Sequence, residues 1–455
     1  LRRIVRLTLG FFALLPLVAL AAGFPSDLKK ALDSANIPLS DVAIWVSRVD
    51  KAQPKLTHNP DLPMNPASVM KLVTAFATLD RLGPAYYWTT RLKMDGQIKG
   101  NTLEGNLYLV GGGDPVFTHA DLWKLLRQMR GLGIERIAGD IVIDGSALRL
   151  PTHDPGRFDG QALRPYNAGP SAMMINFNVD PPMADLTLDS EISSEDGQCA
   201  ARWYKALDAE TDRVKRGHKL SLKGAWRDDC GIKDWFVSPE SPDEFARDVV
   251  GGLWREVGGR LGGRVRDGRA PNDATTLFVN TSRPLADVVR DMNKWSNNVI
   301  ARQLLATLGA SDNTAPDMVA GGARLAAAQL AADGIDTTGL VIENGSGLSR
   351  DARITARGLG QLLEQAWARP FMPEFMSSMA VAGIDGTARR RLRDSPARGT
   401  AHIKTGTLNE VRAMAGYVID KKGERYAVAM MVNSPNAGAS RDAQDVLLEW
   451  VWEGH

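Results

Sequence analysis

Three short runs hold the side chains that a covalent acyl transfer would need: Ser68-Val-Met-Lys71, Ser296-Asn-Asn298 and Lys404-Thr405-Gly406-Thr407. In the first, an amine follows a hydroxyl by three residues, a spacing that puts both on one face of a helix. A serine hydroxyl becomes a nucleophile when a base takes its proton. A lysine, with an ordinary pKa of about 10.4, can be that base only when burial or a second cation holds it low. Lys404 is the obvious second cation. The second run offers a hydroxyl to pass a proton and an amide, Asn298, to position an acyl chain. In the third, Thr405 and Thr407 can hydrogen-bond a carboxylate that Lys404 attracts, and Gly406 lets another backbone lie close.

The patterns alone are common. Ser-x-x-Lys recurs at Ser26 and Lys29, and Ser-x-Asn recurs at Ser34, Ser311 and Ser434, whereas Lys-Thr-Gly occurs once. Context selects among the copies, because each group needs an element to hold it. Val69, Leu72, Val73, Phe76 and Leu79 recur at helical spacing before Gly83-Pro84. That predicts a helix opening at Ser68, whose free N–H groups would face a developing oxyanion. Ala401 to Leu408 alternates like a strand, with partner strands expected at Ala413 to Ile419 and Tyr426 to Val432. Asn297 to Leu308 reads as an amphipathic helix closing on Gly309, so Ser296 stands at a helix start. Ser311 lies beyond that glycine and reads as a turn or cap.

With the motifs in this order, the chain from about Asp27 onward resembles the class C low-molecular-mass penicillin-binding proteins. These are D-alanyl-D-alanine carboxypeptidase/endopeptidases of the penicillin-binding protein 4 type. Further matching runs are Asn65-Pro-Ala-Ser-Val-Met-Lys-Leu-Val-Thr74, Gly113-Asp-Pro115, Gly139-Asp-Ile-Val-Ile-Asp144, Asn344-Gly-Ser-Gly-Leu-Ser-Arg350 and Gly383-Ile-Asp-Gly-Thr387. Two positions depart from the pattern. Asn344 stands where Asp is frequent, and Arg302 where some relatives carry an acid.

The resemblance implies an α/β fold: a serine β-lactamase/DD-peptidase-like catalytic domain, an antiparallel sheet flanked by helices, with a large mostly-β inserted region of one or two subdomains. The 228 residues between Ser68 and Ser296, against 108 between Ser296 and Lys404, require that insertion. We expect the catalytic domain at 24–95 and 276–455, the inserted domain at 96–185 and 236–275, and a small nested subdomain at 186–235. Gly111-Gly-Gly-Asp-Pro115 is a turn, since no Lys-Ser/Thr follows to complete a phosphate loop.

The implied reaction is hydrolysis of peptidoglycan stem peptides through an acyl-enzyme on Ser68, with β-lactams as covalent inhibitors and no cofactor. Lys71 is the expected base, Ser296 the proton relay bridging Lys71 and Lys404, Asn298 the acyl-chain holder, and Thr405 and Thr407 with Lys404 the carboxylate site. The family also has a pocket for the free end of diaminopimelate. There Arg350 matches one lining position and Asp159 is a second candidate, although Arg350 could instead pair with Asp351 or another acid. A β-lactamase would need a deacylating base, such as a Glu-x-x-Leu-Asn run between the second and third motifs, and none is present.

Composition agrees with this layout. A chain of 455 residues suggests about two or three domains. Its net charge of +2 carries no nucleic-acid footprint, and the Arg389-Arg390-Arg391 cluster with Arg393 reads as a solvated face. The six histidines and two cysteines show no metal-ligand spacing. Arg2, Arg3 and Arg6 precede an apolar run from Leu7 to Leu20 that ends at Ala19-Leu20-Ala21. Residues 1–21 therefore read as a secretory signal peptide, and the mature protein as periplasmic. A retained anchor, or peripheral attachment to the inner membrane or wall, stays open. In an oxidising envelope Cys199 and Cys230 are expected to pair and staple the nested subdomain, a constraint of roughly 3–4 kcal/mol. Two free buried thiols are the alternative.

Overall fold

The computed structural model describes residues 24–455 except 52, 179–185, 201–202, 214–217, 234–237 and 239–240. The expected leader at 1–21 lies outside the described residues. A six-stranded antiparallel sheet forms the centre of the catalytic part. Its order is Ala380–Val381, Ala401–Leu408, Val411–Ile419, Arg425–Asn433, Val42–Arg48 and Pro54–His58. Period-two alternation gives this sheet two apolar faces. Val42, Ile44, Met414, Val418, Val428 and Met430 meet the terminal helices Ser26–Ser34 and Arg441–Glu453. On the other face, Ala43, Trp45, Ala413, Ala415, Tyr417 and Ala429 pack beneath the helices that carry the first two motifs. The small residues at 413, 415 and 429 let those helices sit close.

The helix Lys71–Leu82 runs through that second core, with Leu72, Val73, Phe76 and Leu79 buried. It starts three residues later than its periodicity predicts, because Ser68 lies in a 3-10 turn, Ala67–Met70, whose first residue has φ 45°. The helix Leu285–Trp295 ends at Ser296, and Asn298–Leu308 begins two residues on, capped by the Asn297 side chain at 3.0 Å from the Ile300 N–H. Asn298–Leu308 is not amphipathic as expected. All eleven of its residues are buried, because its polar positions face inserted chain rather than solvent.

The inserted region has its own core of Leu, Ile, Val and Phe side chains. Its five-stranded sheet runs Val265–Asp267, Ile141–Asp144, Leu107–Val110, Thr89–Met94 and Thr275–Thr281, and a four-stranded sheet lies beside it. Two helices, His119–Gly131 and Pro242–Glu256, complete that core. Thr89–Met94 pairs with Thr275–Thr281 on one side and with Leu107–Val110 on the other, within the same five-stranded sheet. We accordingly propose divides near 88 and 282 in place of 95 and 276. Leu186–Glu195, Leu207–Arg213 and His218–Arg227 form a separate three-stranded sheet beside the Cys199–Cys230 disulfide. No helix among the described residues is long and apolar enough to cross a membrane.

Candidate active site

The three motifs converge. Lys71 is wholly buried, and its Nζ lies 3.0 Å from Ser68 Oγ, 2.7 Å from Asn298 Oδ1 and 2.6 Å from the Ser346 carbonyl. Burial, the Lys404 charge and the Arg302 guanidinium together hold its pKa well below the ordinary lysine value. Lys404 is equally buried, and burial pushes its pKa down to about 7. Its Nζ lies 2.9 Å from Ser296 Oγ and 2.7 Å from the Thr405 carbonyl. Ser296 thus partners Lys404, while the hydrogen-bond partners of Lys71 are Ser68, Asn298 and the Ser346 carbonyl.

Local backbone explains how these groups are aimed. Ser296 adopts φ 59° and ψ 38° at the end of its helix, a left-handed cap that usually falls to glycine. That conformation turns the chain between two helices and leaves the hydroxyl at Lys404. The Ala401–Leu408 strand lies against the Ser68 turn, for a Cβ on Gly406 would come 2.6 Å from the Pro66 carbonyl oxygen and 3.1 Å from Ser68 N. Glycine is required there by close approach. Thr405 Oγ1 lies 2.8 Å from Thr387 Oγ1, so the edge carries a third hydroxyl.

The Asn344-Gly-Ser-Gly run closes the site from the opposite side. Gly345 and Gly347 have φ of 71° and 73°, and a Cβ on Gly347 would collide with the Ala67 carbonyl. Asn344 Oδ1 accepts from the Ser346 N–H at 3.0 Å and the Ser346 hydroxyl at 2.8 Å. An aspartate would offer the same acceptor oxygen, which accounts for the exchange at this position. Asn65 ties the run to the Ser68 turn, accepting from the Ala67 N–H at 2.8 Å and donating to the Ser349 carbonyl at 2.9 Å.

A cavity of about 550 Å3 is lined by Arg302, Phe158, Asn344, Ser349 and Arg350 among others, and Arg302 stands one helical turn beyond Asn298. The Arg350 guanidinium lies 4.7 Å from the Phe158 ring centroid, the contact it makes in place of an ion pair with Asp351. Asp159, next in the chain, accepts from the Tyr166 hydroxyl at 2.7 Å and from Asn167 Nδ2 at 2.8 Å. It braces this loop and is not among the residues facing the cavity. The Tyr166 carbonyl in turn accepts from Asn298 Nδ2 at 3.3 Å and Arg302 Nη1 at 3.0 Å. Sequence reasoning did not identify Ser346, Thr387 or Tyr166 as site residues. The signals for Ser346 are its paired glycines and the matching run Asn344 to Arg350, and Thr387 closes the matching run from Gly383.

Comparison with known proteins gives the family. The pattern of the D-Ala-D-Ala carboxypeptidase 3 (S13) family matches residues 25–453. The chain is 28% identical over 408 residues to a D-alanyl-D-alanine carboxypeptidase of Actinomadura sp. (strain R39), spanning 84% of this chain and 76% of that protein. It is 25% identical over 433 residues to the D-alanyl-D-alanine carboxypeptidase DacB of Haemophilus influenzae, spanning 91% and 88%. In fold it is similar to the crystal structure of penicillin-binding protein 4 from Haemophilus influenzae, with a TM-score of 0.79 at 22% identity over 93% of this chain and 99% of that one. A family match across nearly all of the described chain, around Ser68 and the buried Lys71, leads to one conclusion: the chain belongs to the D-Ala-D-Ala carboxypeptidase 3 (S13) family of serine peptidases.

Proposed function

We propose that Ser68 is the nucleophile, Lys71 its base, and peptidoglycan stem peptide the substrate. The observation that carries the reading is the fully buried Lys71 amine, 3.0 Å from Ser68 Oγ and held low by burial and by Lys404. The terminal carboxylate docks on Thr405, Thr407 and Lys404. Neutral Lys71 takes the Ser68 proton as Oγ attacks the carbonyl of the penultimate D-Ala. The Ser68 and Thr407 N–H groups hold the resulting oxyanion, an interaction worth about 3 kcal/mol per donor. Ser296, hydrogen-bonded to Lys404, relays to the leaving amine the proton that Lys71 took, the C–N bond breaks, Lys71 is neutral again, and an ester remains on Ser68. Asn298 holds the acyl chain, Arg350 lines the cavity past Arg302, and Asp159 braces its loop. Water then hydrolyses the ester.

When the amine belongs to D-Ala the reaction is a carboxypeptidase step, and when it belongs to a cross-linked diamino acid it is an endopeptidase step. β-Lactams present a strained amide to the same hydroxyl and acylate it. The leader reading, with its Arg2-Arg3 start and apolar run, supports a periplasmic location for the mature protein.

The test is mass spectrometry of muropeptides after incubation with the mature protein beside Ser68→Ala. Loss of one D-Ala from pentapeptides, or conversion of dimers to monomers, is expected with the wild type alone. Covalent penicillin on Ser68 without either product would sink the peptidase reading and leave a β-lactam sensor.

A further inference from the structure

The Arg389-Arg390-Arg391 run does not form an ordinary solvated face. With Arg412 and Arg441 it lines a cleft of about 650 Å3 that also includes Thr405, Gly406 and Thr407. Five arginines therefore line one concavity with the edge assigned to the substrate carboxylate, and Arg412 Nη1 already donates to the Leu408 and Val411 carbonyls. No carboxylate lines it among the described residues. Asp445 stands behind the wall and is paired to Arg391 at 2.6 Å. Arg391 is thereby neutralised, while Arg389, Arg390 and Arg441 reach the surface and Arg412 is half-buried. At the near end Trp295, immediately before Ser296, exposes 64% of its surface. In a chain whose net charge is only +2, this concentration of one sign makes a strong local field.

The side of the site matters. On the peptidase reading the acyl chain lies at Asn298 and Arg350 and the leaving residue at Thr405 and Thr407, so a cleft that includes Thr405 and Thr407 continues on the leaving-group side. A departing D-Ala ends at those threonines and leaves the cleft empty. A departing cross-linked strand does not. Beyond its first carboxylate it has the methylene arm of a diamino acid, then a peptide bearing the α-carboxylate of a γ-linked glutamate and a C-terminal carboxylate. We propose that this cleft binds the acidic leaving peptide of a cross-linked dimer, with Trp295 against the methylene arm and the arginines on the distal carboxylates. Guanidinium forks match carboxylates in two-point hydrogen bonds, and their planar faces suit such ligands better than lysine would. The proposal rests on the peptidase reading and adds to it the molecular basis for an endopeptidase preference.

The experiment compares kcat/KM for a cross-linked muropeptide dimer with kcat/KM for D-Ala release from a pentapeptide monomer. Both substrates are given to the wild type and to an Arg389→Glu/Arg390→Glu double variant. Both side chains are exposed, and the Arg390 carbonyl that accepts from Arg441 is unchanged by the substitution. The dimer-to-monomer ratio is expected to fall about tenfold, mostly through KM, the scale of one lost charge-assisted contact. Amidating the distal carboxylates of the dimer should lower the wild-type ratio in the same way. A ratio that stays within about twofold in both comparisons overturns the cleft proposal while the peptidase reading stands. Cleavage of neither substrate by the wild type overturns the peptidase reading and this proposal with it.

Discussion

Lys71 and Lys404 are two long cations sealed into one site, and burial sets the pH range in which each can act. In the proposed mechanism Lys71 must be neutral to take a proton, whereas Lys404 must be charged to draw a carboxylate. For the free enzyme, kcat/KM should therefore rise on the acid side as Lys71 deprotonates and fall as pH passes about 7, where Lys404 loses its charge. Arg302 tests the first limb, because it is one of the two cations holding Lys71 low. Arg302→Gln is expected to move the acid limb to higher pH in rates of acylation by a fluorescent penicillin. A merely structural role would lower the rate at every pH and leave the limb in place. Ser296 poses a different trade. Its left-handed backbone costs about 1 kcal/mol in any residue with a Cβ. Ser296→Gly should leave Tm unchanged or slightly raised while acylation slows about 100-fold, since only the proton relay is lost. A fall in Tm on that substitution would show that the hydroxyl is structural.

At the scale of elements, the site depends on one strand edge lying against one 3-10 turn, and Gly406 is where they meet. In Gly406→Ala the methyl would press on backbone at Pro66 and Ser68, neither of which can swing aside. The strand must then shift by some tenths of an ångström. Displacements approaching 1 Å at a reacting centre cost about 100-fold, so penicillin acylation should slow between tenfold and 100-fold while the fold persists. Acylation at the wild-type rate would mean the contact is slack. These elements were legible in sequence to different degrees. The strands Val411–Ile419 and Arg425–Asn433 lie within two residues of their expected bounds, because burial on both faces and a Lys421-Lys422-Gly423 turn leave few alternatives. The 3-10 turn at Ser68 was not legible, since apolar spacing is the same whether the first turn is tight or α. The Ser346 and Tyr166 carbonyls were less legible still, for a backbone acceptor has no side-chain signature. The helix Asn298–Leu308 misled for a third reason: Arg302 and Gln303 look like a wet face until the insertion covers them.

That covering governs the molecule as a whole. Gln303 is fully buried, and its amide donates to the Gly113 carbonyl at 2.8 Å and the Ser171 carbonyl at 2.9 Å while accepting from the Ser171 N–H at 3.1 Å. Arg302, beside it, donates to the Tyr166 carbonyl at 3.0 Å and the Ala168 carbonyl at 2.7 Å. Two adjacent side chains on the catalytic helix thus fasten the inserted chain, and the Tyr166 carbonyl passes that attachment to Asn298. Gln303→Leu preserves the helix and its volume but strands three buried backbone groups, each costing about 1–3 kcal/mol unless water reaches it. Because those groups belong to the insertion, the cost falls on docking between the two parts rather than on either core. We expect calorimetry to resolve two unfolding transitions in the variant where the wild type shows closer coupling. Acylation should slow as Asn298 loses its brace, while the far-UV spectrum at low temperature stays that of the wild type. A single transition shifted down with acylation unchanged would mean that the helix and insertion form one cooperative core, and that the polar pair contributes stability without positioning the site.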